Sequence, residues 1–565
     1  MFIVHQDPFI LISVLFTQLI TLPLGKFLEW ILPKYRFSAF GYSCSLNPGP
    51  FNLKEHTLIS VMSTIIIDGT GIIDISSAMS TVYGIKWSFG KQFTLAISSQ
   101  LFGFSFAGIL RQFLVWPASM IWPGVLVQCA FLNAMHSNYG KKESKHISRE
   151  RFLYLACLCS FLWCWFPSYL WTGLSMFSWV CWIAPNNVTV NSLFGGVSGL
   201  GMSGISFDWS MISQLGSPLV VPVCSVATRE NSTQHSRVSQ WWAQVNSMAG
   251  FVIVIWFISP IMWGMSLLSV SSLWGPYLQF MIAKNVFYSQ YIPISMGLPY
   301  DNTGAQYNLS AVVTNGQFDQ TKYEQYSPLF LPITYAVSYG TIFATYSAIL
   351  VHTFLWYRHD LVRQFRQGLK DKTDIHAHLM GKYAEVPHWW FIALGIFSFV
   401  LGIVGIEICQ VGLPMWAYIV SILLAIIFII PCGIIQAITN EQINPVVLAE
   451  LLMGYVLPER PLATMVFKMT AGSAVAQAVA YSSDLKFGHY MKIPPRLMFS
   501  AQIISASVSI VSSILARQWA LDNIPDICTP GQKNFFTCPN LEIYNTSSML
   551  WGGIGPKRLF SSGAM

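Results

Sequence analysis

Long apolar runs separated by short polar stretches dominate the chain. Runs of about 17–25 residues, the length that spans a hydrocarbon core of about 30 Å, fall near Phe9–Trp30, Phe93–Phe113, Val115–Ala134, Phe152–Leu174, Val245–Met265, Leu329–Trp356, Trp389–Ile408, Met415–Ile438 and Leu497–Trp519. Other apolar segments are too short. Thr57–Ile67 gives only about 16 Å of helix before Asp68-Gly69-Thr70-Gly71 interrupts it. Val446–Val456 is a second half-length segment, following Pro445 and carrying Glu450, and Val466–Tyr481 is short and rich in small residues. Ser192–Ser206 holds five glycines, a density that suits either close helix packing or a re-entrant hairpin. The pattern predicts an all-α, polytopic integral membrane protein, with discontinuous helices whose freed backbone groups face a cavity rather than lipid.

Composition sharpens this. Only 10% of the 565 residues are charged and 53% are hydrophobic, against roughly 25% charged in a soluble domain. The net charge of +7 does not point to nucleic acid, because Lys and Arg concentrate in Lys141–Arg151 and Arg358–Lys382, between apolar runs. Basic loops of that kind mark the cytoplasmic side, so 358–382 is expected to be a cytoplasmic loop. One membrane domain over 1–565 is expected. Most of the cysteines sit in or beside apolar segments as small hydrophobes. Cys528 and Cys538 differ: they lie in a polar loop, within 520–548, beside the acceptor pattern Asn545-Thr546-Ser547, which suits a disulfide on an oxidising, extracytoplasmic face. No secretory signal peptide is visible at the start. His376-Ala377-His378 lacks a third ligand nearby, so no metal site is expected.

The candidate chemistry gathers at the interrupted segments. In Asn47-Pro48-Gly49-Pro50-Phe51-Asn52-Leu53-Lys54-Glu55-His56 the prolines favour a helix starting near Asn52, with three titratable side chains in its first turns. Carboxylates at membrane depth are costly and usually belong to a pathway. The proton-coupling candidates are Glu55, His56, Asp68, Asp74, Glu441 and Glu450, with Glu407 also near membrane depth; a buried carboxyl holds a proton more readily than an exposed one, and imidazole titrates near neutral pH unaided. On a continuous helix Glu441 and Glu450 would point to opposite sides, though Pro445 spoils that geometry. Two interrupted segments with carboxylates, one early and one late, are what a transporter built from repeats would carry. There is no His-Glu-x-x-His, no phosphate-cradling Gly-x-x-x-x-Gly-Lys loop, and no partner histidine for Gly196-Val197-Ser198-Gly199, so an enzyme is not expected.

Four motifs together resemble the oligopeptide transporter family, in its peptide-transporting clade of fungi and plants, and most resemble fungal small-oligopeptide transporters. They are Asn47-Pro48-Gly49-Pro50-Phe51-Asn52 with Lys54-Glu55-His56, then Tyr288-Ser289-Gln290-Tyr291-Ile292-Pro293 with Tyr300-Asp301-Asn302-Thr303-Gly304, then Lys382-Tyr383-Ala384-Glu385-Val386-Pro387, and Lys492-Ile493-Pro494-Pro495-Arg496. The first and last are the hallmark pair. The resemblance implies proton-coupled import of tri- to pentapeptides, glutathione among them in some members, with no cofactor. It implies as partners the peptide, protons and the lipid bilayer, and as location the plasma membrane or a vacuolar membrane. Asn47, Asn52, Lys54, Asn444, Lys468 and Arg496 are the expected substrate contacts. Family members have about sixteen helices; this chain begins and stops short of that pattern, so about twelve to fourteen membrane or re-entrant helices are expected. The polar run 223–241 departs from the family and suggests a retained intron. Val446 stands where the family has Asn, and Glu459 where it has Gly. A non-transporting peptide sensor or an inactive fragment is the alternative.

Overall fold

The computed structural model describes residues 14–39, 42–45, 47, 49–68, 71–81, 84–138, 147, 149–196, 199–207, 241–268, 292–295, 299–314, 317–367, 375–528, 532, 536 and 539–560. The insertion at 223–241 therefore falls almost wholly outside the described residues. Among the described residues helices dominate, with three two-stranded antiparallel sheets. Among the described residues eight helices are long and apolar enough to cross a membrane, and Arg151–Trp165 and Val446–Val456 are shorter apolar helices. The protein is an all-α, multi-pass integral membrane protein.

The helices used below are α1 (Val14–Ile31), α2 (Leu53–Asp68), α3 (Gly71–Thr81), α4 (Phe89–Leu114), α5 (Pro123–Asn138), α6 (Arg149–Trp165), α7 (Trp241–Phe251, continuing to Leu268), α8 (Ile333–His352, continuing through a π-helical turn to Gln367), α9 (His388–Cys409), α10 (Met415–Thr439), α11 (Val446–Val456), α12 (Pro461–Met491), α13 (Pro495–Asn523) and α14 (Pro539–Ser548, running into a π-helical turn Met549–Ile554). Their ends follow from local chemistry. Proline precedes or opens α9, α10, α12 and α13, where a missing N–H leaves no bond unmade. α9, α10 and α12 stop at residues in the left-handed conformation, Gln410, Asn440 and Lys492, whose N–H groups close the last turn.

α4 and α12 form the centre of the bundle, with α9, α10 and α13 around them. Close approach depends on small residues. A Cβ on Gly108 would sit 1.9 Å from the Phe391 ring of α9, and Ser105 donates a 2.7 Å hydrogen bond to the Phe391 carbonyl one turn away. Phe104, Phe391, Tyr481 and Phe499 then pack ring to ring across four helices. The lipid-facing sides stay apolar: Trp389, Ile396, Leu423 and Ile427 are exposed.

Three apolar segments differ from the sequence expectation. Val115–Ala134 is not one span: residues 115–122 are irregular, Trp122 has a φ of 54°, and the helix is Pro123–Asn138. Pro117 and Pro123 account for the break. Val466–Tyr481 is not a half-length segment but the middle of the 31-residue α12. Hydropathy missed it because α12 buries Lys468, Ser482, Ser483, Asp484 and Lys486 inside the protein instead of showing lipid an apolar face. Ser192–Ser206 forms neither a long helix nor a helical hairpin; Val188–Phe194 is a short helix, and Gly204–Ile205 pairs with Phe177–Ser178.

The bundle has two ends. At the basic end the strap 381–387 lies against the start of α2, the end of α4 and the start of α13: Lys54 donates to the Tyr383 hydroxyl at 2.9 Å, Arg111 to the Val386 carbonyl at 2.6 Å, and Arg496 to the Glu385 carbonyl at 3.4 Å. At the other end the Arg460 guanidinium reaches the Gly412 carbonyl at 3.5 Å.

Candidate functional site

α11 has 11 residues, about 16 Å of helix, and does not cross a bilayer alone. It packs on α12, and the α14 π-helical turn packs on both. The fit is tight at Gly454, where a Cβ would come within 2.3 Å of the Trp551 carbonyl oxygen. At this junction Lys468, fully buried on α12, donates to Glu450 Oε1 of α11 at 2.6 Å. Its ammonium also bonds the Ser547 hydroxyl and, at 3.4 Å, the Tyr544 carbonyl, and stands 5.1 Å from the centre of the Tyr544 ring. A lysine has three hydrogens to donate, so all are directed at α11 and α14.

Aromatic side chains close the junction. Trp551, fully buried, donates to the Tyr339 hydroxyl at 3.2 Å, which lies 3.1 Å from the Tyr335 hydroxyl. Tyr346, two turns further along α8, donates to the Asn444 carbonyl at 2.8 Å, in the irregular stretch between α10 and α11. This carbonyl is freed by the helix break and is satisfied by a side chain from a neighbouring helix, as a break at membrane depth requires. α3 lies against α14, and a Cβ on Gly71 would stand 3.5 Å from the Tyr544 hydroxyl. Both interrupted segments thus converge on α14. The junction offers one anionic and one cationic side chain, the hydroxyl or indole groups of Tyr335, Tyr339, Tyr346, Ser547 and Trp551, and apolar ring faces, all closed from solvent.

The sequence candidates divide between this junction and the basic end. Glu450, Lys468 and Asn444 are at the junction. Glu441 is exposed, its N–H on the Thr439 hydroxyl, ahead of α11. Asn47 is buried and donates to the carbonyls of Glu29 and Leu32 at the end of α1. Asn52 caps α2 by accepting from the N–H groups of Lys54 and Glu55, while Glu55 reaches back to the Asn52 N–H at 3.2 Å, a reciprocal capping box. Lys54 and Arg496 are exposed and turn to the strap. His56 is buried against Gln18 and His136. Asp68 and Asp74 belong to α2 and α3, and their side chains lie outside the described residues, as do Pro48 and Cys538. Cys528 is disulfide-bonded. In the Lys492–Arg496 motif, Lys492 bonds His376 Nδ1 at 2.5 Å, Ile493 is buried, and Pro494 and Pro495 start α13. His376 is thus bonded to a lysine.

Sequence reasoning did not single out Tyr339, Tyr346, Trp551 or Tyr544, and it read Ser547 only as part of an acceptor pattern on an extracytoplasmic face, whereas the structure buries it on α14 against Lys468. Tyr335 and Tyr339, spaced i and i+4 in an apolar span, were a signal available beforehand, since buried hydroxyls need partners. The partner from α14 was not.

Outside the membrane spans, two carboxyls among the described residues are perturbed. Burial pushes the Glu385 carboxyl up, against the pull of Arg111, whose guanidinium stands 3.8 Å away. Burial also pushes the Asp301 carboxyl up, but donors from Thr303, Ala305 and Tyr326 outweigh it and hold it below the usual carboxylate range.

Interrupted helices that meet at a buried ion pair inside an apolar bundle are the arrangement that discontinuous-helix transporters use. The chain belongs to the oligopeptide transporter family, whose profile, described as "OPT oligopeptide transporter protein", matches residues 1–229 and 237–564. It is 35% identical over 98% of its length to "Glutathione transporter 1" of Schizosaccharomyces pombe, covering 62% of that protein. It is 35% identical over 98% of its length to "Oligopeptide transporter 2" of Arabidopsis thaliana, covering 71% of it. Against "Oligopeptide transporter 1" of Saccharomyces cerevisiae the identity is 32% over 98% of the chain and 66% of the relative. The chain therefore spans about two thirds of the length of these relatives. No solved structure matches it.

Proposed function

We propose that the protein carries small peptides, in the tri- to pentapeptide range and including glutathione, across a membrane together with protons. The observation that supports this reading most is the Glu450–Lys468 pair, buried where α11 and α14 meet α12. A buried ion pair contributes little net stability compared with apolar packing of the same volume, so its presence in an apolar bundle calls for another role. A peptide zwitterion has the complementary charges: its ammonium suits Glu450 and its carboxylate suits Lys468. With no peptide between them the two side chains satisfy each other. Proton uptake by Glu450 dissolves the pair and leaves Lys468 free for a carboxylate, which couples proton to substrate by one exchange of partners. Tyr339, Tyr346 and Trp551 supply donors and acceptors for peptide amides. The names of the relatives support the substrate class.

In this reading the basic end is cytoplasmic, and the turn after α13 that carries the disulfide-bonded Cys528 lies on the opposite face, in the plasma membrane; the loop expected over 520–548 is narrower than that, because α13 runs to Asn523 and α14 buries Ser547 at the junction. Uptake of radiolabelled peptide by a transporter-deficient host, and by sealed proteoliposomes under an imposed pH gradient, tests it. Accumulation that collapses when the gradient is dissipated is expected; no accumulation under the gradient overturns the reading. Asp68→Asn tests the first interrupted segment and is expected to abolish acid-stimulated uptake with the protein still in the membrane.

A further inference from the structure

His56 does not stand alone at the basic end. On α2, fully buried, its Nε2 lies 2.9 Å from the Gln18 carbonyl oxygen of α1 and its Nδ1 lies 2.9 Å from His136 Nε2 of α5. The two imidazole rings are 5.1 Å apart, and the Phe51 ring packs against both, at 5.5 and 6.1 Å. The side-chain amide of Gln18 is buried in the same turn of α1 and has no hydrogen-bond partner among the described residues.

One carbonyl fixes both tautomers. A carbonyl oxygen only accepts, so His56 Nε2 carries its hydrogen toward Gln18. A neutral His56 then presents a lone pair at Nδ1, and His136 must donate from Nε2. That leaves the lone pair of His136 on Nδ1, on a half-buried ring. A proton arriving there gives an imidazolium whose Nε2–H bond to His56 is charge-assisted and stronger than before. The same hydrogen can shift to His56 Nδ1 within the bond, moving the charge to the buried ring without moving a heavy atom. A second proton is different in kind, because it sets N–H against N–H and two cations against each other between three helices.

The geometry points to His56 and His136 as a single proton-binding site that holds one extra proton between two imidazoles. It adds His136 to His56 among the groups that can carry the proton in the transport proposed above, and its transport role rests on that reading; the proton site itself does not.

Charged groups lie on the elements packed against α2 and α5: α6, against α5, opens with Arg149, Glu150 and the exposed Arg151, the side chains of the first two outside the described residues. Lys26 on α1 acts on His136 through its charge and is bonded to Glu29 at 3.0 Å. On α2 itself Lys54 turns to Tyr383 and Glu55 to the Asn52 N–H. From α13, Ser505 and Ser509 bond α2 carbonyls, and Arg496 turns to Glu385. On α12, Lys486 bonds the Val115 and Pro117 carbonyls, Lys492 bonds His376, and Asp484 and His489 lie on the same buried turns; on α5 the other titratable group is Cys129. Among the described residues none of these shares a hydrogen bond or ion pair with either imidazole.

The test is a pH titration of the ¹⁵N-histidine signals of the full chain in lipid nanodiscs, with His56→Gln and His136→Gln used to assign the two rings. Both rings are expected to carry Nε2–H at high pH, and acid to add one imidazolium equivalent to the pair, with a second at least a hundredfold harder to add. In His136→Gln the amide still donates to His56 Nδ1, and the first step is expected to move by at least tenfold in proton affinity. Two equal, independent titrations in the wild-type protein, or an unchanged His56 titration in His136→Gln, overturn the proposal, and the wild-type measurement decides even when the variant does not fold. In uptake assays His136→Gln is expected to lose at least tenfold of its acid stimulation. If the wild-type protein accumulates no peptide, the transport reading fails while the titration still decides the proton site.

Discussion

Removing Lys468 alone is expected to do more damage than removing it together with Glu450. In Lys468→Met the Glu450 carboxylate, whose side chain is 2% exposed, loses its only ion-pair partner among the described residues and stays enclosed by α11, α12 and α14. Stranding one member of a buried pair costs about 3–5 kcal/mol, whereas replacing both with apolar side chains of similar volume is close to neutral. At about 1.4 kcal/mol per factor of ten, the single variant populates unfolded or misassembled states about 100- to 4,000-fold more than the wild type. Against a total stability of about 5–15 kcal/mol this is a large fraction. The double variant Glu450→Leu/Lys468→Met is expected to recover most of it. Thermal unfolding of the four proteins of this cycle in one detergent, read by monodispersity after heating, gives the coupling between the two positions. Uptake measured on the same four is expected to be absent from all but the wild type. Lys468→Met as stable as wild type, or a double variant no better than the single, would refute the energetic argument. A stable double variant that still transports peptide would remove the pair from the mechanism.

Gly454→Ala is expected to push the Trp551 turn off α11, because the new Cβ meets a backbone oxygen at 2.3 Å; overpacking of this kind costs about 1–3 kcal/mol, read as a lower unfolding temperature with reduced uptake. Arg111→Ala is expected to release the strap by removing the bond to the Val386 carbonyl, whereas Glu385→Gln leaves it in place, and protease cleavage of 381–387 in native membranes separates the two. Burial raises the Glu385 carboxyl, so the folded strap binds a proton more tightly than the unfolded chain does. Its stabilisation is present at low pH and fades as pH rises through the raised folded value, and Glu385→Gln should flatten that dependence. Asp301 has the opposite sign: its folded value is lowered, so the stability it contributes to the 299–330 loop is present above the ordinary carboxylate range and fades as pH falls through the lowered value. Asp301→Asn should remove that acid sensitivity, measured by limited proteolysis of the loop.

The interruptions at Asp68–Gly71 and before Pro445 were legible because length and breakers are local properties: a run too short to span, ended by glycine or proline, has few structural readings. The family motifs were legible for the same reason. What the motifs do was less so. Asn52 and Glu55 cap a helix locally, whereas Lys54 and Arg496 hold a strap and Lys492 reaches His376 by contacts made across long separations in the chain. Glu441 and Glu450 look equivalent in sequence, yet one is exposed and the other buried, because Pro445 ends an irregular stretch and only Glu450 lies on α11. α12 was read as a half-length segment because a helix buried on all sides needs no lipid-facing stripe, and hydropathy sees only that stripe.

The corner between α12 and α13 bears on how such a protein can change shape. Lys492 sits there at a φ of 60°, Ile493 closes onto the Gly488 carbonyl at 2.9 Å, and two prolines with fixed φ follow at once. Few soft torsions remain, so the two longest apolar rods in this part of the chain are joined as a stiff lever. Any rocking that opens the Glu450–Lys468 junction must then take its flexibility from the unwound joint at 440–445, with the α12–α13 hairpin as the fulcrum against which it turns.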